Sequence, residues 1–320
     1  MRVVITSRMP AVAEELLRAA RLEVAIDEVG HDASEERLEE RLIAAMAGAD
    51  AAITVLTNPI TATVLAACNQ LQVVANCAVG TNNIDLAAAR AGNIVVTNTP
   101  GVLTEATAEL TMALLLAVTR RVLEGDSMVR GGGFEGWHPL MLLGSSLSGK
   151  RLGIIGMGRI GRAVAIRARA FGMEIVYFSR SRADEAESSG ARRIGFDDLL
   201  ETSDVISIHA PLTPDTHHLV AAAALAKMKR GCFLINTARG PIVDERALVD
   251  ALENNLLGGA GLDVYEDEPR VEPRLITMKN VVLLPHLGSA TVETRNEMAS
   301  MAARNVIAVL SGRQALNQVG

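Results

Sequence analysis

Aromatic residues are scarce in this 320-residue chain: one Trp, two Tyr and five Phe, 2% of the sequence. Ala, Val, Leu and Ile must therefore fill the core. A basic patch with interleaved aromatics is also missing, which argues against a nucleic-acid binder. No single sign of charge dominates. Lys and Arg number 31 against 37 Asp and Glu, a formal net charge of -6, with both signs interspersed. Any anion site must then be local. Cysteine is sparse: Cys68, Cys77 and Cys232 each stand among apolar residues, with no CxxC pair and no His–Cys cluster. That pattern fits buried, reduced thiols in a cytoplasmic protein and holds no metal-ligand spacing. Long apolar runs are missing too. The opening MRVVITSRMP has no apolar region long enough for export, and the most apolar helical stretch, around Leu110–Val118, is too short to span a membrane and follows Glu109.

What is present is alternation. Hydrophobic residues make up 49% and charged ones 21%, as in globular proteins, and the length suits two domains. RVVIT (2–6), AAITVL (51–56), QVVANC (72–77) and NIVVTNT (93–99) read as buried strands, and EELLRAA and ERLEERLIAAM between them have helical apolar spacing. After Pro100-Gly101 the spacing predicts one long helix over 102–124, followed by a Gly- and Ser-rich loop from Gly125 to Lys150. A second series then follows: LGIIG, IVYFS, VISIHA, CFLINTA, GAGLDVY and VVLLPH, again with helices between. Such β-α alternation implies parallel sheets covered on both faces. The expected fold is α/β, with two Rossmann-like or flavodoxin-like domains: 1–99 plus 290–320, and 100–289. The final helix, about 290–311, is expected to pack back on the first domain.

Residues 152–162 read LGIIGMGRIGR, placing Gly156, Gly158 and Gly161 as G-x-G-x-x-G between a strand and an amphipathic helix. In that context Gly156 permits the tight turn, Gly158 lets the backbone approach a diphosphate, and Gly161 lets helix and strand pack closely. The diphosphate then rests on free N–H groups at the helix start, around Met157, Arg159 and Ile160. Past the next strand, where an acid for the adenosine ribose is expected, the chain reads Ser179-Arg180-Ser181-Arg182. A neutral Ser179 can donate to a 2′-phosphate, and Arg180 and Arg182 can add charged forks. The expected cofactor is therefore NADP(H) in preference to NAD(H), the other reading of the two arginines being a solvated edge.

Three later segments each end a strand in a polar residue, at the ligand-facing edge of a parallel sheet. CFLINTARGPIVDERAL brings Arg239, GAGLDVYEDEP brings Asp263, Glu266, Asp267 and Glu268, and VVLLPHLGSAT brings His286. Arg239 can grip a 2-oxo acid's carboxylate and polarise its carbonyl. His286 can donate a proton as hydride arrives at carbon, and a carboxylate beside a histidine fixes its tautomer.

With these motifs the chain resembles the D-isomer-specific 2-hydroxyacid dehydrogenase family over nearly its whole length. The matching stretches are NCAVGTNNID (76–85), TNTPGVLTEATAEL (97–110), LGIIGMGRIGR, INTARGPIVDERAL (235–248), GLDVYEDEP (261–269) and LLPHLGSAT (283–291). The resemblance implies that the catalytic set falls on Arg239, Glu268 and His286. It also implies substrate contacts from the backbone at Val79 and Gly80, and an active site in the cleft between a substrate-binding and a cofactor-binding domain. Thr237, Ala238, Asp263 and Gly288 then line the cofactor, and Pro211 lies on its adenine side. Thr107 either faces the nicotinamide or is an ordinary helix-surface threonine. GWHPLMLLGSSLSGK is most similar to the glyoxylate/hydroxypyruvate reductase branch. In a homodimer Trp137 would either reach the partner's active site or simply anchor the dimer loop. His209 reads as structural, and His217 and His218 as solvated residues of a polar turn.

The function this implies is reduction of small 2-oxo acids, glyoxylate and hydroxypyruvate first, to D-2-hydroxy acids. A relative acting on a bulkier or phosphorylated substrate, of the phosphoglycerate type, often adds a regulatory domain, and this chain ends at Gly320 without one. Formate chemistry would call for an amide at Glu268. A nucleotide-sensing co-repressor keeps the same triad but usually carries long disordered tails.

Overall fold

The computed structural model describes residues 1–30 and 34–319, and all ten β-branched runs read from the sequence become parallel strands in it. In the first sheet these are β1 (Arg2–Ile5), β3 (Ala51–Thr54), β4 (Val73–Asn76) and β5 (Val95–Thr97), joined at the edge by β2 (Glu23–Ile26). The order is β2-β1-β3-β4-β5, which is the flavodoxin-like arrangement. Alternate residues of each strand face opposite sides. Val3, Ile5, Ile53, Val73 and Ala75 pack under helix Val12–Ala19 and helix Val292–Leu310. Val4, Ala52, Val74 and Val96 meet Leu38, Leu42, Met46 and Val64 of the helices on the other face. Each fully buried aliphatic side chain contributes about 1.5–3 kcal/mol.

The second sheet holds β6 (Arg151–Ile155), β7 (Glu174–Phe178), β8 (Arg192–Arg193), β9 (Val205–Ile208), β10 (Cys232–Asn236), β11 (Leu257–Leu262) and β12 (Val281–Leu283). Its order, β12-β11-β10-β9-β6-β7-β8, is the dinucleotide-binding one extended by a strand, and it reverses between β6 and β9. Leu152, Ile154, Ile175 and Tyr177 pack on one face with Leu114 and Leu115 of helix Thr104–Thr119 and Val164 of helix Arg159–Ala170. Ile206, Ile208, Leu234 and Leu262 pack on the other with Leu199, Leu225 and Leu248. By its internal contacts the chain falls into two compact units: Met1–Leu103 with Ser289–Gly320, and Thr104–Gly288.

One expectation fails. The predicted helix over 102–124 ends at Thr119, and a second helix, Val122–Arg130, takes up the start of the predicted loop. Between them Arg121 adopts φ +55°, a left-handed conformation that ends a helix. Its guanidinium is tied to Glu124 (Nη2–Oε2 2.7 Å), and the Thr119 carbonyl accepts from Ser145 N–H (2.8 Å) instead of continuing the helix. All three cysteines are free and buried. Among the described residues no helix is long and apolar enough to cross a membrane, and no group of three or more His, Cys, Asp and Glu side chains gathers that could hold a metal ion.

Candidate active site

At the carboxyl edge of the second sheet, successive strands deliver the chain to the residues singled out above. β6 leads into Gly156-Met157-Gly158, β7 into Ser179, and β9 into His209 and Pro211. β10 leads into Thr237, Ala238 and Arg239, β11 into Asp263, and β12 into His286. Ligands of open parallel sheets bind outside this edge, at the point where strand order reverses.

The three glycines divide the work there. Gly156 has φ +97°, and a Cβ on it would lie 2.7 Å from the backbone of His209 and Ala210. A Cβ on Gly161 would meet the Gly156 carbonyl at 2.3 Å. Both absences serve internal packing. Gly158 differs: a Cβ there would meet nothing within 4 Å. Gly158 is also the N-cap of helix Arg159–Ala170 and provides no side-chain cap. The first-turn N–H groups at Arg159, Ile160 and Gly161 therefore open on space bordered by glycine, which fits a dinucleotide's diphosphate. Met157 is buried beneath the turn.

At the end of β7 the Ser179 hydroxyl donates to the Ser181 carbonyl. The Arg182 guanidinium turns to Glu187 (Nε–Oε2 2.7 Å) and Asp184 (3.4 Å), so its charge is already matched. Tyr177 OH donates to the other oxygen of Glu187 (2.7 Å). Arg193, which the sequence did not single out, braces the turn by donating to the carbonyls of Ser179 (2.9 Å) and Arg180 (3.1 Å).

Glu268 and His286 meet directly, Oε2 to Nδ1 at 2.9 Å. The other oxygen of Glu268 accepts from Tyr265 N–H at 3.0 Å. Burial pushes the Glu268 carboxyl up, but the bond and charge of His286, the Tyr265 amide and the charge of Arg239 outweigh it and hold it below its ordinary range. With Nδ1 on the carboxylate, Nε2 is the ring nitrogen left for a substrate. Arg239 is half-buried. Burial lowers its affinity for the proton and the nearby Glu268 charge restores part of it. Its Nη1 donates to the Ala238 carbonyl (2.7 Å), and its own carbonyl is held by Asn236 (2.9 Å).

His286 has φ +56°, a conformation costing a non-glycine residue of order 1–3 kcal/mol. Asp263 offsets that cost. Its carbonyl accepts from His286 N–H (2.9 Å), and its buried carboxylate from the N–H groups of Leu287 (2.6 Å) and Gly288 (2.8 Å). Burial raises the Asp263 carboxyl in spite of these bonds. Thr107 is buried rather than on a helix surface, donating to the Gly288 carbonyl at 2.9 Å. Thr237 shares a hydrogen bond with Thr111 (2.9 Å). The Pro211 carbonyl accepts from Thr216 (2.7 Å), and Ala238 N–H donates to Asn236 (3.0 Å).

In the first unit, Val79 and Gly80 follow β4 at the carboxyl edge of that sheet, their carbonyls held by Asn98 (2.8 Å) and Asn76 (2.9 Å). Trp137 is 82% exposed. His209 Nε2 shares a hydrogen bond with Ser207 (2.9 Å). His218 departs from the expectation of a solvated turn. Its Nε2 bonds Glu266 at 2.7 Å and its ring stacks on His217.

A sheet of this order, with a glycine turn where the order reverses and a histidine–carboxylate pair at the same edge, is the arrangement of a dinucleotide-binding domain. Residues 112–288 match the model of the D-isomer specific 2-hydroxyacid dehydrogenase NAD binding domain. A glyoxylate reductase of Thermococcus litoralis is 50% identical over 268 residues, 82% of this chain and 81% of that protein. A crystal structure from Thermus thermophilus shares 45% identity at a TM-score of 0.94, over the whole of both chains. An NADPH-dependent glyoxylate/hydroxypyruvate reductase of Sinorhizobium meliloti, solved with NADP and malonate, shares 34% identity at a TM-score of 0.88, covering 100% of this chain and 96% of that one. The chain belongs to the D-isomer-specific 2-hydroxyacid dehydrogenase family, in its glyoxylate reductase branch.

Proposed function

We propose that this enzyme reduces small 2-oxo acids, glyoxylate and hydroxypyruvate first, to D-2-hydroxy acids, with NADPH preferred over NADH. The observation that carries the reading is the Glu268–His286 pair at 2.9 Å, on the sheet edge that also bears the open Gly158 turn and Arg239. The reduced nicotinamide, when bound, supplies the hydride that reaches the keto carbon. Arg239 takes the substrate carboxylate and polarises the neighbouring carbonyl. In the first unit, the loop at Val79 and Gly80, its carbonyls already engaged, contacts substrate through its backbone amide N–H groups. His286 gives the proton on Nε2 to the oxygen as charge develops there, and Glu268 stabilises the ring through Nδ1. The unit formed by Met1–Leu103 and Ser289–Gly320 thus binds substrate, and Thr104–Gly288 binds the dinucleotide.

NADPH preference rests on the missing acid at Ser179 and on Arg180, since Arg182 reaches a 2′-phosphate only by leaving Glu187. Thr237, Ala238, Asp263 and Gly288 shape the nicotinamide end, the last two through the turn they hold together. The protein works in the cytoplasm as a homodimer, a reading supported by its buried free thiols and by the exposed Trp137.

The test is the initial rate of glyoxylate reduction with NADPH and with NADH at matched subsaturating concentrations, for the wild type and His286→Ala. The wild type is expected to favour NADPH, and His286→Ala to lose at least about a hundredfold in kcat with little change in cofactor affinity. An NADH preference keeps the reductase and makes the arginines a solvated edge. Turnover that survives in His286→Ala removes the acid assignment.

A further inference from the structure

One buried acid of the second unit has no part in the mechanism above. Glu245 opens helix Glu245–Glu253 and is 7% exposed. It does not cap that helix: Asp244 does, accepting from Ala247 N–H at 3.0 Å. Instead, Glu245 Oε1 accepts from Glu266 N–H at 2.7 Å. This carboxylate therefore holds the near end of the segment that carries Glu268. Glu266 returns the contact, accepting from Glu245 N–H at 3.1 Å through Oε2, while its Oε1 bonds His218 Nε2 at 2.7 Å. The 3₁₀ turn Gly240–Ile242 closes the same loop from below: a Cβ on Gly240 would lie 1.7 Å from the Tyr265 carbonyl oxygen. Burial pushes the Glu245 carboxyl up, and the backbone N–H groups of Glu266 and Glu272 oppose this. Burying an acid beside two others is unfavourable unless its hydrogen bonds offset the cost.

We infer that Glu245 is a positioning residue for the reaction: with Glu266 and His218 it fixes the loop Tyr265–Glu272 so that Glu268 meets His286. The inference rests on the proposed role of Glu268 in supporting His286. A carboxylate misplaced by an ångström no longer stabilises the ring as the proton leaves, so the loss falls on the chemical step and not on binding.

The experiment compares Glu245→Ala, Glu245→Gln, Glu266→Ala, Glu268→Gln and the double variant Glu245→Ala/Glu268→Gln in glyoxylate reduction with saturating NADPH. Cofactor Kd and Tm are measured on each. Glu245→Ala is expected to lower kcat about tenfold, with glyoxylate KM and cofactor Kd within about twofold of wild type. Glu245→Gln, whose amide oxygen still accepts the Glu266 N–H, should recover kcat to within about threefold. On the Glu268→Gln background, Glu245→Ala should change kcat by less than about twofold, because the group it acts through is gone. Independent multiplication of the two losses, a wild-type kcat in Glu245→Ala, or a loss confined to KM and Kd overturns the inference. If Glu245→Ala does not fold, Glu266→Ala removes the return bond to Glu245 N–H and the bond to His218, and should lower kcat with KM and Kd within about twofold of wild type. If Glu268→Gln alone retains full kcat, the assignment of Glu268 falls, and this inference with it.

Discussion

His209, His218 and His286 carry the same ring into three environments. Burial beside Ser207 pushes the His209 ring down to about 3 from an ordinary 6.5. The folded protein keeps that ring neutral where the unfolded chain protonates it. Between about pH 6.5 and about pH 3 the unfolded state therefore binds the extra proton, and stability falls as pH falls. His209→Asn, which retains a partner for Ser207 without titrating, should lose less Tm than wild type between pH 7 and pH 5. Parallel Tm–pH curves would count against this origin of acid sensitivity. The Glu268 carboxyl, held below its ordinary 4.5, is ionised between pH 7 and pH 5. Arg239 and His286 stood out in the sequence as site candidates because each follows a buried strand at a predictable edge, whereas Glu268 was singled out among the acids after β11 only by the family resemblance. The brace behind them was not legible, since His218 and Glu266 lie 48 residues apart and only the folded chain pairs them.

At the scale of elements, the strand–turn–helix around Gly158 separates two reasons for a glycine. Gly158→Ala places its methyl in open space, in an extended conformation (φ −77°, ψ −163°) that alanine accepts. Its stability should change by no more than about 0.5 kcal/mol, while NADPH affinity, read by fluorescence titration, drops at least about tenfold as the methyl meets the diphosphate. Gly161→Ala drives a methyl against the Gly156 carbonyl and should cost about 1–3 kcal/mol in chemical denaturation. Equal stability losses in the two variants would remove the distinction. The strands that sequence reasoning found are buried on both faces and read as unbroken apolar runs. Those it missed are edges: β2 holds no fully buried residue, and β8 is two exposed arginines. The break at Arg121 was equally hidden, because neither glycine nor proline marks it and the Thr119–Ser145 bond that redirects the chain is not local.

At the scale of the whole molecule, the segment after the Arg121 break bears Val129, Phe134, Trp137, Leu140 and Leu143, all exposed. Apolar side chains concentrated in this way are unfavourable in water and mark an association surface. The homodimer proposed above should use it. Sedimentation equilibrium should give twice the 33.9 kDa chain mass for wild type, and the single-chain mass when Phe134, Trp137 and Leu140 are changed together to Ser. A monomeric wild type would sink that reading.

The first unit is assembled from both ends of the chain, with helix Val292–Leu310 laid over Val3, Ile5, Ile53 and Val73. During synthesis this order has a cost in time. The amino-terminal strands leave the ribosome first, yet one face of their sheet has only helix Val12–Ala19 as cover until the whole intervening unit has been translated and the last helix follows. The nascent protein thus carries a partly covered apolar sheet face through most of its production.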